Sequence, residues 1–269
     1  MSGGLLKRAL RESWPATALL GLALFLVEVA LAFALPVLER LFAAQLLRLT
    51  AIQNAVQALL GVDVSGGAGP ELFASIAWVH PVVLALLWAH AAMHCTRVPA
   101  GEVDHGTIDV LLGLPVSRWR IYIDESLVWA LSGLALTAIA VAGNVCGGLA
   151  GGATPDVRRL IIVGANLFCL YLTVGGFSWL VSALSDRRGR AIGSVFGVLL
   201  GFFLLNYLGQ FWSLAARFLF LTPLEYFRPL TILRDGAWPA GDMCVLAGAG
   251  ALFWLAGGAI FARRDLMTT

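Results

Sequence analysis

Six long apolar stretches constrain the fold of this chain more than any other feature of its sequence. A helix rises about 1.5 Å per residue, so about 20 apolar residues are needed to cross the hydrocarbon core of a bilayer. The stretches have about this length or more, and they cover residues 15–38, 72–96, 120–147, 158–184, 191–209 and 243–262. Only 13% of the residues are charged and the mean hydropathy is +0.86, whereas about a quarter of the residues in soluble domains are charged. We therefore predict an all-α integral membrane protein whose six transmembrane helices form a single domain over residues 1–269.

The beginning of the chain is basic and leads directly into the first apolar stretch. That stretch is longer than the apolar core of a cleaved signal peptide, which has about 7–15 residues, so we expect it to remain as the first span. The preceding residues predict an N-terminal amphipathic helix. Its apolar face consists of Leu5, Leu6, Ala9 and Leu10.

The placement of Lys and Arg residues indicates the orientation in the membrane. With the N-terminus in the cytoplasm, 11 of the 18 basic residues fall on cytoplasmic segments and 7 on outer segments. We therefore expect both termini in the cytoplasm and a multi-pass protein of the cell (inner) membrane. The net charge of +2 is too small to indicate a nucleic-acid partner.

Segments outside the spans add further expectations. In residues 44–60 the apolar side chains recur at helical spacing and the polar ones lie on the opposite face, which predicts an amphipathic helix that lies on the outer leaflet or caps the bundle. A break is expected at Gly209-Gln210, followed by short outer or re-entrant helices up to residue 239. Cys146 and Cys244 both fall near the outer face, where a disulfide is chemically permitted, but buried free thiols are the favoured interpretation.

The segment GEVDHGTIDVLLGLPVSRWR, residues 101–120, interrupts the apolar pattern between the second and third spans. A helix could begin at Pro99, or a shorter one could follow Thr107 with Asp109 in its first turn. Gly113 and Pro115 supply a stop in either case. The apolar face of such a helix carries Ile108, Leu111 and Leu112. A short two-faced helix suits docking into a groove of a partner, and the alternative is an ordinary interfacial loop.

This segment resembles the signature of ABC exporter permeases of the second class, the ABC-two family. The matching residues are Glu102, Gly106, Thr107, Leu111, Leu112, Pro115, Val116, Ser117 and Arg118. The stretches LTPLEYFRPLTIL at 221–233 and FARRDL at 261–266 are also similar to family motifs, and a basic turn like SDRRGR between spans four and five is usual there. Asp124-Glu125 departs from the family, which usually has a lysine or a similar residue there.

The resemblance implies the six-span transmembrane permease subunit of an ABC transporter that exports a substrate. Its partners would be two cytoplasmic ABC ATPases and a second permease subunit, either identical or homologous. The ATPases would hold ATP and Mg, and residues 99–113 would form a cytoplasmic coupling helix. The coupling residues would be Glu102, Asp104, Gly106, Thr107, Ile108, Leu111, Leu112, Pro115 and Arg118. The chain lacks a GxxxxGK[ST] phosphate loop, so no cofactor and no ATP hydrolysis are expected on this chain.

Two other functions remain open from the sequence. The chain could be a non-transporting mechanical scaffold, driven by the same kind of ATPase, that acts on an extracytoplasmic partner through residues 44–60 and the aromatic outer segment. It could also be a membrane-embedded enzyme or proton-coupled carrier working alone, although no paired catalytic groups occur at suitable spacing. The substrate is not indicated by any of these patterns.

A few polar residues lie within the predicted spans. Glu28 is an intramembrane carboxylate, which is a functional hypothesis by default, although a hydrogen-bonded structural role is favoured. Asn144, Asn166 and Asn206 could line a polar path with it or simply bond between helices. His90 and His94 share one helix face and are weak metal candidates, because two imidazoles do not complete a site.

Overall fold

A computed structural model describes residues 3–46, 70–113 and 115–264, with the side chains of 38–46, 111 and 112 left out of the description. Helices account for almost all of this part of the chain, and it contains no strand. Six stretches are helical, long and apolar enough to cross a membrane. They are α1 (Gly3–Leu46), α2 with α3 (Pro70–Val79 and Pro81–Cys95), α6 (Arg118–Ala150), α7 (Val157–Leu184), α8 (Arg188–Gly209) and α11 (Ala240–Arg263). The prediction of an all-α protein with six spans is confirmed.

The first span begins earlier than the sequence indicated. α1 is helical from Gly3 onward, so the basic lead-in and the first span form one helix that contains Pro15 and Pro36. The predicted apolar face of the lead-in is only partly correct. Ala9 is fully buried, but Leu10 is 52% exposed, because the inward face runs through Ala9 and Ser13, which are four residues apart.

Two breaks in the spans lie at a proline and at a glycine. The second span bends between α2 and α3 at His80, whose side chain accepts a hydrogen bond from the backbone N–H of Val82 while Pro81 opens α3. The fifth span, α8, ends at Gly209 as expected. Short helical pieces follow over 213–235, namely α9 (Ser213–Ala216), Leu219–Leu221, Pro223–Tyr226 and α10 (Pro229–Asp235).

Close packing between spans depends on glycines that allow backbone contact. α7 packs on α11, and a Cβ added to Gly176 would lie 2.2 Å from the carbonyl oxygen of Gly250. α1 packs on α6 in the same way, since a Cβ added to Gly147 would lie 2.4 Å from the carbonyl oxygen of Val29. Small residues of this kind let neighbouring membrane helices approach closely.

Two sequence predictions concern the segment 44–60 and the cysteines. The amphipathic helix expected at 44–60 falls almost entirely outside the described residues. All four cysteines are free thiols; Cys95 and Cys169 are buried, whereas Cys146 and Cys244 are exposed and not joined. The expectation of buried thiols is therefore wrong for the latter two, because they lie on outward faces of α6 and α11.

Candidate coupling site

One end of the bundle gathers most of the charged residues of the described chain. Because successive spans run in opposite directions, this end carries the start of α1, the segment between α3 and α6, the α7–α8 turn and the end of α11. We call it the N-terminal end of the bundle. All coupling residues suggested by the sequence lie here.

The segment between α3 and α6 is not one continuous helix. It consists of an irregular turn at Arg97–Gly101, the single turn α4 (Glu102–Asp104) and the short helix α5 (Ile108–Leu112). Gly106 joins α4 to α5 with a φ of +68°, a conformation that favours glycine. A helix that begins at Pro99 and runs to Gly113 is therefore wrong, and the shorter helix that follows Thr107 has the correct extent. The interruption at Gly106 is the physical reason.

Glu102 holds this segment together. The residue is only 8% exposed, and its carboxylate accepts a hydrogen bond from Arg8 Nη2 at 2.6 Å and another from the Thr107 hydroxyl. The backbone N–H of Thr107 also donates to the Glu102 carbonyl oxygen at 2.9 Å. Thr107, the residue before α5, thus bonds to Glu102 through both its hydroxyl and its backbone N–H. Through Arg8 the segment is attached to α1, 94 residues away in the chain.

The ion pairs continue from α1 into α6. Arg8 Nε also donates to Glu12 at 2.8 Å, and Arg97 bridges Glu12 and Glu125. Glu125 is 7% exposed, so its pairing with Arg97 satisfies a charge that would otherwise be costly to bury. We call Arg8, Glu12, Arg97, Glu102 and Glu125 the ion-pair chain. The ion-pair chain thus gives a structural role to Glu125, one of the two acids that depart from the family pattern.

A second set of contacts attaches the segment to α7 and α8. The Asp104 carboxylate accepts a hydrogen bond from the backbone N–H of Arg188 at 3.2 Å, at the start of α8. Arg188 Nη2 donates to the carbonyl oxygen of Met93 at 2.9 Å. The backbone N–H of Ala100 donates to the Ser182 hydroxyl at 3.3 Å near the end of α7. The segment is therefore fixed to α1, α6, α7 and α8.

Three stretches that are similar to family motifs meet at the same end. Arg118, from PVSR, donates to the carbonyl oxygens of Phe261 and Arg264. Arg264, from FARRDL, donates to the Ala183 carbonyl oxygen at 2.7 Å and pairs with Asp186 of SDRRGR. The start of α6, the end of α11 and the α7–α8 turn are thus joined by two arginines.

The outward part of the segment combines an apolar side chain with a polar surround. Ile108 is fully buried, whereas Val110 is 76% exposed, and His105 and Pro115 are exposed as well. The side chains of Leu111 and Leu112 lie outside the described residues. The described part of the segment thus presents an exposed surface that is connected to several spans.

The intramembrane polar residues do not form one site. Asn144 Nδ2 donates to the buried Glu28 carboxylate at 2.9 Å, which joins α6 to α1. Asn166 instead donates to the Tyr226 carbonyl oxygen at 3.3 Å, and Asn206 is buried in α8. Only Glu28 and Asn144 are brought together.

The two histidines form hydrogen bonds within the bundle. His90 lies 3.0 Å from the Thr17 hydroxyl through Nε2 and 2.9 Å from the Tyr171 hydroxyl through Nδ1. His94 Nε2 lies 3.3 Å from the carbonyl oxygen of Glu125. Among the described residues, no group of three or more His, Cys, Asp or Glu side chains is placed to hold a metal ion.

Sequence reasoning missed several members of this site. It treated Arg8, Arg97 and Arg188 mainly as markers of orientation, and it assigned no role to Glu12. One signal was available, since Glu12 and Glu125 are acids at the ends of apolar helices, where each needs a cation nearby.

Comparison with known proteins places the chain in a family. No curated protein matches it by sequence. The family model described as "ABC-2 family transporter protein" matches residues 11–266, which is nearly the whole chain. The six apolar spans agree with this match. The chain therefore belongs to the ABC-2 family of transporter membrane proteins.

Proposed function

We propose that this chain is the permease subunit of an ABC exporter and that it works with a separate cytoplasmic ATPase. Two copies of the ATPase and a second permease subunit, identical or homologous, complete the transporter. ATP and Mg bind to the ATPase, and both termini of the permease face the cytoplasm. The membership in the ABC-2 family supports the permease role.

The attachment of residues 97–113 to four spans is the observation that carries the coupling role. A surface that transmits force must be exposed to its partner on one side and firmly joined to the moving parts on the other. Val110, in α5, is 76% exposed. Glu102, in α4 on the other side of Gly106, is buried and accepts a hydrogen bond from Arg8. A displacement of α5 would therefore reach α1 through Glu102 and α8 through Asp104.

The site residues have different roles in this proposal. The exposed face around α5 would contact the ATPase, with Val110 at its centre. Glu102, Asp104 and Thr107 would hold that face to the bundle, and Gly106 would set the turn between α4 and α5. Arg118 would keep the adjoining start of α6 fixed to the end of α11.

The test uses an exposed residue, so that the fold of the permease is left intact. The tagged chain is purified from its native membranes, and co-eluting proteins with a GxxxxGK[ST] motif are identified by mass spectrometry. We expect an ABC ATPase to co-elute with the wild-type chain and with the variant Val157→Glu. Val157 is 48% exposed at the opposite end of the bundle, so the same substitution there is a matched control.

The variant Val110→Glu places a charge in the proposed contact. We expect it to reduce the amount of co-eluting ATPase about 10-fold or more, because a buried unpaired charge in an interface costs several kcal/mol. Equal recovery of the ATPase with Val110→Glu and Val157→Glu would exclude α5 as the contact. Activity of the chain with no ATPase present would exclude the ABC permease function altogether.

A further inference from the structure

One exposed face of α1 runs from the basic beginning of the helix into its apolar part. Lys7, Arg11 and Trp14 follow one another at intervals of four and three residues, so they lie on the same side of the helix. All three side chains are exposed, and Trp14 is 64% exposed. The same side continues with Leu22 and Leu26, which are 57% and 56% exposed. We call Lys7, Arg11 and Trp14 the lead-in face.

The lead-in face carries two positive charges that no described residue balances. Arg8 pairs with Glu12 and Glu102 on a neighbouring side of α1, whereas Lys7 and Arg11 form no ion pair within the described parts of the chain. The N-terminal end of the bundle as a whole has 11 basic residues but, in the described chain, only 7 acids. These acids are Glu12, Glu102, Asp104, Asp109, Asp124, Glu125 and Asp186. The lead-in face is therefore suited to an anionic partner.

The course of this face along α1 indicates that the partner is a lipid. Leu22 and Leu26 are exposed within a helix that is long and apolar enough to span the membrane, so their side of α1 faces the hydrocarbon of the bilayer. Trp14 lies where the charged residues give way to apolar ones, which is the interfacial position in which Trp is enriched. Arg11 and Lys7 precede Trp14 by one and two turns, a rise of about 5 and 10 Å, within reach of the headgroups.

We propose that the lead-in face binds the headgroup of an anionic phospholipid, with Lys7 and Arg11 on its phosphate and the indole of Trp14 at the membrane interface. Basic side chains at this level are attracted to anionic lipids, and their long apolar stems can lie along the bilayer surface. The lipid is a structural ligand and not a transported substrate. Because Arg8 lies on the same helical turn and binds Glu102, the bound lipid would also stabilise the turn that holds the segment 97–113.

The experiment counts the lipids that remain on the full-length chain in native mass spectrometry. The purified protein is mixed with equal amounts of phosphatidylglycerol and phosphatidylcholine that have the same acyl chains. A basic residue near an anionic membrane surface contributes about 1 kcal/mol, which corresponds to about 5-fold in affinity. We therefore expect the wild type to prefer phosphatidylglycerol. The preference should fall about 5-fold in Arg11→Gln and about 5-fold further when Lys7→Gln is added.

The matched control is the double variant Arg187→Gln and Arg263→Gln. It also removes two exposed cations from the N-terminal end of the bundle, but neither lies on α1. We expect it to keep the preference of the wild type. All four side chains are exposed, so both double variants should fold, and equal Tm values check this.

Three results would overturn the proposal. Equal loss of preference in the two double variants would show a general attraction of the basic end and no site on α1. Displacement of the lipid by glycerol phosphate at the same concentration would show a site for free phosphate. Release of the lipid when an ATPase binds would show that Lys7 and Arg11 belong to a contact with that protein.

Discussion

The attachment of Glu102 to Arg8 gives the sharpest prediction about the coupling segment. We consider the variant Glu102→Gln, which keeps the shape of the side chain but removes its charge. Glu102 accepts hydrogen bonds from Arg8 Nη2 at 2.6 Å and from the Thr107 hydroxyl. A hydrogen bond to a charged group contributes about 1.5–3 kcal/mol. The Arg8 side chain is 39% exposed, which weakens the pair by solvent screening, and glutamine can still accept one bond. We therefore expect a local cost of about 1–2 kcal/mol.

Amide hydrogen exchange measures this local stability. The amides of His105, Gly106 and Thr107 donate to the carbonyl oxygens of Gly101, Val103 and Glu102 respectively, so they exchange only when the segment opens. A cost of about 1–2 kcal/mol corresponds to exchange about 5- to 30-fold faster. The rest of the bundle should exchange at the wild-type rate.

The matched control is Asp235→Asn, which removes the charge of an exposed acid at the opposite end of the bundle. We expect it to leave the exchange of residues 105–107 unchanged. Wild-type exchange rates in Glu102→Gln would refute the reasoning, because they would mean that Glu102 does not hold the segment on α1.

Three further predictions concern the packing and the polar contacts of the bundle. Gly176→Ala should lower the free energy of unfolding by about 1–3 kcal/mol because its Cβ would meet the Gly250 carbonyl oxygen, whereas Gly193→Ala, where a Cβ has open space, should not. Thermal unfolding compares the two variants, and equal Tm values would contradict the packing of α7 on α11. Asn144→Ala should lower the free energy of unfolding by about 1–3 kcal/mol because it removes the donor to Glu28, and Glu28→Gln should lower it less. The opposite order of Tm values would argue against a structural role for this pair. Arg264→Gln should speed tryptic cleavage at the α7–α8 turn several-fold, since the Arg264 side chain bonds to Ala183 and Asp186 in this turn. Arg263→Gln, which changes the exposed neighbouring residue, should not, and equal cleavage rates of the two variants would contradict the contact.

The spans could be predicted from the sequence because their signal is local. Apolar length alone indicated six helices, and Gly209 marked the end of the fifth. These features depend on the bilayer thickness and on backbone chemistry, which act on each stretch separately. The continuity of the basic lead-in with the first span was missed because basic residues stop a hydropathy window but do not stop a helix.

The candidate site could be predicted only in part. The segment 101–120 was identified by its motif, but only the structure, through the turn at Gly106, decides for the shorter of the two helices that its sequence allowed. The partners of Glu102 and Arg264 could not be predicted, because Arg8 and Asp186 are 94 and 78 residues away and no local pattern records such pairings. Similarly, Glu28 and Asn144 were both noted, but their contact depends on the packing of α1 on α6.

Labelling of a single cysteine at Val110 tests the central claim most directly. The exposed native thiols are first removed by Cys146→Ser and Cys244→Ser, and Val110→Cys is then treated with a membrane-impermeant maleimide in sealed vesicles of both orientations. We expect labelling only in inside-out vesicles, and protection of the thiol when the ATPase is bound. Labelling from the outside, or an equal rate with and without the bound ATPase, would contradict the assignment of this segment as the link between the ATPase and the spans.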